Sequence, residues 1–101
     1  MEFDAVFGHN DPSAAGVLAA FHEAAGLRIP QDVAVVGFDD VELASYTCPA
    51  LTTNHQPMRE MGEAAARLLL DHVRRSPEAA PSRTIPTSLV IRSSTLQPSP
   101  N

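Results

Sequence analysis

The sequence contains no lysine, because all seven of its cationic side chains are arginines. A phospho-receiver domain needs a lysine beside its acidic pocket, and a phosphate-binding loop ends in Gly-Lys-Ser or Gly-Lys-Thr, so both kinds of site are excluded. The formal net charge is −5, whereas surfaces that bind a phosphate backbone usually carry a basic patch. We therefore do not expect these residues to bind nucleic acid by themselves.

Cysteine occurs once, as Cys48, and a single cysteine cannot form an internal disulfide. This cysteine and the histidines show no paired spacing of the kind that metal ligands have; the histidines are His9, His22, His55 and His72. The sequence also lacks the Gly-x-Ser-x-Gly nucleophile motif. We therefore expect neither a metal site nor a cofactor, and we predict that the chain is not an enzyme.

Long apolar runs are missing as well, since no segment approaches the roughly 20 residues that cross a bilayer. The first residues do not show the charged, apolar and small-residue pattern of a signal peptide. A lone cysteine fits a reducing compartment. We predict a cytoplasmic protein with no membrane partner.

What the sequence does contain is an alternation of strand-like and helix-like segments. Their periodicity predicts buried strands at residues 4–8 and 33–38, a β-like segment at 51–55 and a last strand at 84–92. Asp11 as N-cap, Pro12 in the first turn and Gly26 at the end predict a first helix. Apolar residues at helical spacing predict a second helix over residues 58–75. This order predicts an α/β fold, with a Rossmann-like parallel sheet and flanking helices.

Polar side chains follow two of the predicted strands. Asp39 and Asp40 come directly after the strand at 33–38, and Asn10 follows the first strand. In an open α/β sheet, ligands bind beyond the carboxyl ends of the strands. A carboxylate accepts hydrogen bonds from hydroxyls or amines, and asparagine offers both a donor and an acceptor. The two strand ends therefore predict one side of a cleft for a polar small molecule.

Residues 5–95 carry a series of short motifs that resembles one known family. The series is similar to the C-terminal part of the effector-binding domain in repressors of the lactose and galactose repressor family. The motifs are AVFGHND at 5–11, GLRIPQDV at 26–33, VVGFDD at 35–40, PALTT at 49–53, QP at 56–57, MG at 61–62 with AAARLLL at 64–70, and LVIR at 89–92. Each motif alone is weak, but their common order over most of the chain makes the resemblance specific.

The resemblance implies that residues 1–101 form an incomplete effector-binding domain. Family members have a helix-turn-helix DNA-binding region, a hinge and two Rossmann-like subdomains that close on an effector. By this resemblance, residues 1–54 and 85–96 belong to the C-terminal subdomain, 57–81 to a segment of the N-terminal subdomain, and 97–101 to a tail. DNA would then be contacted only through a helix-turn-helix region that this chain does not contain.

The resemblance also assigns ligand-binding residues. Asn10 matches the asparagine that reaches the effector in sugar-responsive members, and Asp39 matches the aspartate that contacts the effector across the family. An alternative stays open, because Asn10 could simply end a strand and Asp39 could cap the following turn. The arginine that the family usually supplies to the site lies outside these residues.

A dimer interface is the second feature that the resemblance implies. In the family, C-terminal subdomains pair through the helix after the Asn-Asp step and the connection after the Asp-Asp step. These match residues 13–17 and 43–48, so that Ala15, Tyr46 and Thr47 are the predicted interface positions. Tyr46 suits an interface anchor because it buries a large area at modest entropy cost, although a tyrosine packed on its own loop is an equal alternative.

The function implied is that of the ligand-sensing and dimerising part of a DNA-binding repressor. Its partners would be a small-molecule effector, a sugar or similar polar metabolite, and a second copy of the chain in a homodimer or higher oligomer. The alternative is a periplasmic sugar-binding protein of an uptake system, which has the same two-lobe architecture. A third reading, a small stand-alone interaction domain, has only the leading Met1 in its favour.

Overall fold

The computed structural model describes residues 3–75 and 82–96. Its strands are β1 (Ala5–Phe7), β2 (Ala34–Asp39), β3 (Thr52–His55) and β4 (Ser88–Val90). Its helices are α1 (Asp11–Ala20), which continues into a wider π-type turn at Phe21–Ala25, and α2 (Met58–Arg75); a short 3-10 turn spans Glu42–Ser45. The predicted α/β fold class is confirmed, and the second helix has the predicted bounds.

The chain divides into two compact units, residues 1–56 with 88–101 and residues 57–87. The first unit contains the sheet, in the order β1-β2-β3-β4. β1, β2 and β3 run parallel, with Val6 opposite Val35 and Gly37 opposite Thr53. β4 is antiparallel to β3, so the sheet is mostly rather than wholly parallel.

Helix α1 covers one face of this sheet and forms the core with it. Ala14 and Leu18 lie four residues apart on one side of the helix and are buried against Val35 and Leu51. Gly26 ends the helical segment in the left-handed conformation, with φ of 59°, as predicted from its position. The core is therefore made by a small apolar stripe of α1 and the inner residues of two parallel strands.

Two predicted strands differ from the structure. The first is shorter than residues 4–8 and is not buried, because β1 lies at the edge of the described sheet and leaves Phe7 65% exposed. The last strand spans Ser88–Val90 instead of 84–92. After β4, Ser94 is fully buried; its hydroxyl donates to the Val35 carbonyl at 2.6 Å and accepts from the Thr52 amide at 2.8 Å. Its backbone also bonds the sheet region, since the Val35 amide donates to the Ser94 carbonyl at 3.0 Å and the Ser94 amide donates to the Ala50 carbonyl at 2.9 Å. These bonds hold the segment in place, although it does not continue as a strand.

The second unit consists of α2 and the segment that leads toward β4. Ala64 is buried, whereas Leu69 and Val73 are 63% and 73% exposed. A shallow groove here is lined by Met61, Ala64, Ala65, Leu68, Arg83 and Ile85. The assignment of residues 57–81 to a different subdomain stays a prediction, and residues 76–81 and the predicted tail at 97–101 lie outside the described residues.

Candidate functional site

The carboxyl ends of the three parallel strands lie at one edge of the sheet and all carry polar residues. Asn10 follows β1, Asp39 ends β2 and is followed by Asp40, and Gln56 follows β3. The Gly8 amide donates to the Val36 carbonyl at 2.8 Å, so the end of β1 stays beside β2. The structure thus places the two predicted ligand residues on neighbouring strand ends of one edge.

Asp39 has an unusual backbone conformation, and only one of its two carboxylate oxygens accepts a hydrogen bond from the residues that the structure describes. Its φ is 109°, a conformation that residues other than glycine seldom adopt and that is concentrated at functional sites. Its Oδ1 accepts a short hydrogen bond from the Gln56 side-chain amide, and the Gln56 backbone amide donates to its carbonyl at 3.4 Å. Asp39 is half-buried, and within residues 3–75 and 82–96 no hydrogen bond reaches its Oδ2, so this oxygen can still accept one.

Asp40 is the opposite case, because both of its carboxylate oxygens are engaged. Arg92 Nη2 donates to Oδ1 at 2.8 Å, and His55 Nδ1 lies 2.9 Å from Oδ2. Burial acts to raise the pKa of Asp40, but the hydrogen bonds and charges of Arg92 and His55 outweigh it and hold the pKa below its usual value. Asp40 also has a positive φ, 59°. Its charge therefore anchors the turn instead of facing a ligand.

Asn10, and not Asp11, is the N-cap of α1. The Asn10 Oδ1 accepts from the Ser13 amide at 2.8 Å, while its Nδ2 lies 3.3 Å from His9 Nε2. The prediction of Asp11 as N-cap is therefore wrong. Asn and Asp are equally good N-caps, so tertiary contacts decide which of these two neighbours takes the position. The capping role uses one acceptor of the amide, and its Nδ2 donor stays at the strand edge. The ligand role of Asn10 remains a prediction.

Asp11 is instead a fully buried residue of the first helical turn. Its Oδ1 accepts from the Thr53 hydroxyl at 2.6 Å, and its Oδ2 accepts from the Val41 amide at 2.8 Å. The absence of a side chain on Gly37 makes room for it, because a Cβ there would lie 2.3 Å from Asp11 Oδ1. The position of Asp11 at the helix start also suits a negative charge.

The predicted interface positions lie together on the surface of the first unit. Ala15 and Thr47 line a shallow groove with Leu18, Ala19, His22 and Cys48. The Thr47 hydroxyl donates to the Pro49 carbonyl at 2.9 Å. Tyr46 is 74% exposed, so it is not packed on its own loop. Their role in a dimer remains a prediction.

Gln56 and Arg92 stand in the sequence within the QP and LVIR motifs, and nothing in those motifs predicts a role for either side chain. The structure brings both to the Asp39–Asp40 turn, Gln56 onto Asp39 and Arg92 onto Asp40. The role of Gln56 could have been inferred from its position directly after β3, because the carboxyl ends of β1, β2 and β3 lie at the same edge of the sheet. Arg92 gave no such signal, because its pairing with Asp40 spans 52 residues of sequence.

The site offers hydrogen-bond acceptors and donors, and the described residues contain no group of three His, Cys, Asp or Glu side chains that could hold a metal ion. Asp39 accepts from hydroxyl or amine groups, and Asn10 both donates and accepts. These are the donor and acceptor groups that a polar small molecule needs for hydrogen bonding.

No helix in the described part of the chain is long and apolar enough to cross a membrane.

The sequence of this chain matches the model of the periplasmic binding protein-like domain over residues 2–95. Among curated proteins, the ribose operon repressor of Escherichia coli K12 is 51% identical over 69 residues, which are 68% of this chain and 21% of the repressor. The chain therefore spans about a fifth of the length of this curated relative.

Solved structures show the same similarity. A LacI family transcriptional regulator from Enterococcus faecalis with bound ribose is 35% identical, with a TM-score of 0.82 over 94% of this chain and 35% of that chain. The lac repressor dimer bound to operator and the anti-inducer ONPF is 36% identical, with a TM-score of 0.84 over 93% of this chain and 32% of that chain. These relatives are transcriptional regulators and not enzymes. The chain belongs to the periplasmic binding protein-like domain family, in the form found in transcriptional repressors of the lactose and galactose repressor family.

Proposed function

We propose that this chain is the ligand-sensing and dimerising part of a transcriptional repressor, and that its effector is a sugar or a similar polar metabolite. The observation that carries the proposal is Asp39, which ends β2 with an open carboxylate oxygen on a positive-φ backbone. A related regulator has ribose bound, and ribose presents hydroxyl groups, which donate hydrogen bonds to a carboxylate.

We propose that the effector acts by shifting the population between conformations of the protein. A ligand that binds one conformation better than another shifts the population toward it. The chain passes from the first to the second compact unit at residues 56–57, and Gln56 is the residue that bonds Asp39. We infer that a ligand hydroxyl bound to Asp39 changes the bond between Asp39 and Gln56, and so favours one conformation of the chain around residues 56–57. A dimer would pass this preference to DNA-binding regions elsewhere in the protein.

The remaining parts of the proposal concern partners and place. A homodimer would form through the surface around Ala15, Tyr46 and Thr47, which the structure leaves accessible. DNA would be bound by a separate helix-turn-helix region, since these residues carry a net charge of −5. The protein would act in the cytoplasm and without enzymatic activity. A periplasmic uptake protein is the weaker candidate, because the similar proteins are named as repressors and regulators.

The test is calorimetric titration of the full-length gene product with D-ribose and a set of common pentoses, hexoses and disaccharides. Asp39→Asn keeps the size of the side chain but removes the charge, and we expect it to weaken sugar binding by about 1.5–3 kcal/mol. Asp32→Asn is the matched control, since Asp32 pairs with Arg28 on the surface and should leave the affinity unchanged. A wild-type protein that binds none of these sugars would contradict the proposal, and so would an Asp39→Asn variant of normal affinity.

A further inference from the structure

Asp11 is a buried carboxylate that the proposed ligand site does not use directly. It is 0% exposed, and its two oxygens accept from the Thr53 hydroxyl and the Val41 amide. These two donors are 42 and 30 residues away in sequence. A buried carboxylate is unfavourable unless it accepts hydrogen bonds. The donors from two distant segments are therefore what make the burial of Asp11 possible.

The segments that Asp11 joins are those that carry the two candidate ligand residues. Asn10 precedes it in the chain and caps the same helix. Val41 ends the turn that begins with Asp39 and Asp40, and Thr53 lies in β3 opposite Gly37 of β2. Asp11 therefore connects the start of α1, the turn after β2 and the middle of β3 through a single carboxylate.

The turn after β2 needs such a connection. Asp39 and Asp40 have φ values of 109° and 59°, and side chains make these conformations unfavourable by about 1–3 kcal/mol each. A turn of this kind persists only where neighbouring groups determine it. The bond from the Val41 amide to Asp11 fixes the residue that follows the two strained positions.

The carboxylate itself has little freedom to shift. A Cβ on Gly37 would lie 2.3 Å from Asp11 Oδ1 and 2.8 Å from Leu51 Cδ2, so the carboxylate is packed directly against the β2 backbone. Interiors of this density transmit a displacement instead of absorbing it. A change at Asp11 is thus expected to move the turn.

We propose that Asp11 is a positioning residue of the ligand site, which sets the place of the Asp39 carboxylate relative to Asn10. This inference rests on the proposed function, because it concerns the same site. Asp11 does not contact the ligand; it acts through the backbone bond to Val41 and through the helix start that follows Asn10.

The experiment is a double-mutant cycle on the full-length gene product, with D-ribose as the probe or, where ribose gives no heat, the sugar of highest affinity in the set above. Asp11→Asn keeps the shape of the side chain but leaves only one acceptor for two donors. We expect it to weaken binding about tenfold, the equivalent of one well-placed hydrogen bond. In an Asp39→Asn background the same change should cost much less, because the group that it positions is already altered.

A matched control separates positioning from general stability. Ser94→Ala also removes a buried polar group with two hydrogen bonds to the sheet, but Ser94 bonds Val35 and Thr52 and not the turn. It should lower the melting temperature and leave sugar affinity unchanged. Should Asp11→Asn not fold, Thr53→Val and Thr53→Ser replace it, and we expect weak binding in the valine variant and recovery in the serine variant, which keeps the hydroxyl.

The outcomes are distinct. Wild-type protein that binds no sugar overturns the proposed function, and this inference with it. Wild-type binding with unchanged affinity in Asp11→Asn, or in Thr53→Val where that replaces it, overturns only the positioning role. The same holds if the effects of Asp11→Asn and Asp39→Asn simply add, or if Ser94→Ala weakens binding as much as Asp11→Asn does.

Discussion

The two arginine–aspartate pairs of the first unit allow a direct test of what burial adds to an ion pair. Arg92–Asp40 and Arg28–Asp32 both have a nitrogen–oxygen distance of 2.8 Å. The side chains of the first pair are only 21% and 16% exposed, whereas Arg28 is 72% exposed. Exposed pairs contribute little because water screens them, so the two arginines should differ strongly in their effect on stability.

Arg92→Met removes the guanidinium and keeps an apolar stem of similar length. It breaks the bond to Asp40 and the 2.9 Å bond from Nη1 to the Leu51 carbonyl. Hydrogen bonds to charged groups contribute about 1.5–3 kcal/mol each, but His55 remains on Asp40 and the carboxylate keeps some access to water. We therefore expect a loss of about 2–3 kcal/mol in the free energy of unfolding at neutral pH, and a clearly smaller loss for Arg28→Met.

The assay is urea unfolding of the full-length gene product followed by circular dichroism, repeated over a series of pH values. The folded state lowers the pKa of Asp40, so its contribution is complete above the unfolded value near 3.9. That contribution is lost as the pH falls through the folded pKa. The difference between wild type and Arg92→Met should therefore shrink in acid. Equal losses for the two arginines, or a difference that does not change with pH, would refute this reasoning.

Two further predictions test packing and assembly. Gly37→Ala should destabilise the protein by about 1–3 kcal/mol in the same unfolding assay, since the new methyl group would overlap Asp11 and Leu51. Gly62→Ala in α2 is its control: nothing lies within 4 Å of the added carbon, and alanine is the better helix former by about 0.5–1 kcal/mol, so stability should rise. Tyr46→Ala should weaken the proposed dimer by about 2 kcal/mol or more in sedimentation equilibrium while Tyr46→Phe keeps it, and an unchanged dimer constant would remove Tyr46 from the interface.

The elements that the sequence predicts well are those fixed by local pattern. Helix α2 shows an apolar stripe and has the predicted bounds, and Gly26 ends the first helical segment because its left-handed φ is favourable only for a residue without Cβ. In each case a few neighbouring residues determine where the element begins or ends.

The elements that the sequence does not predict depend on partners far along the chain. The burial of a strand depends on its neighbours in the sheet, and β1, at the edge of the sheet that the described residues form, is exposed despite its apolar sequence. Asn10 caps α1 because Asp11 is bound to Val41 and Thr53. Local capping preferences rank Asn and Asp alike, so no reading of neighbouring residues could have separated them.

The three aspartates near the sheet edge show how environment assigns different roles to one residue type. Asp11 is buried and both of its oxygens accept from neutral donors. Asp40 is held by Arg92 and His55. Asp39 has one oxygen on Gln56 and, within the described residues, leaves the other without a partner. Because the first two carboxylates are already satisfied, we propose Asp39 as the acceptor for a ligand at this edge, with Asp11 and Asp40 holding the backbone around it.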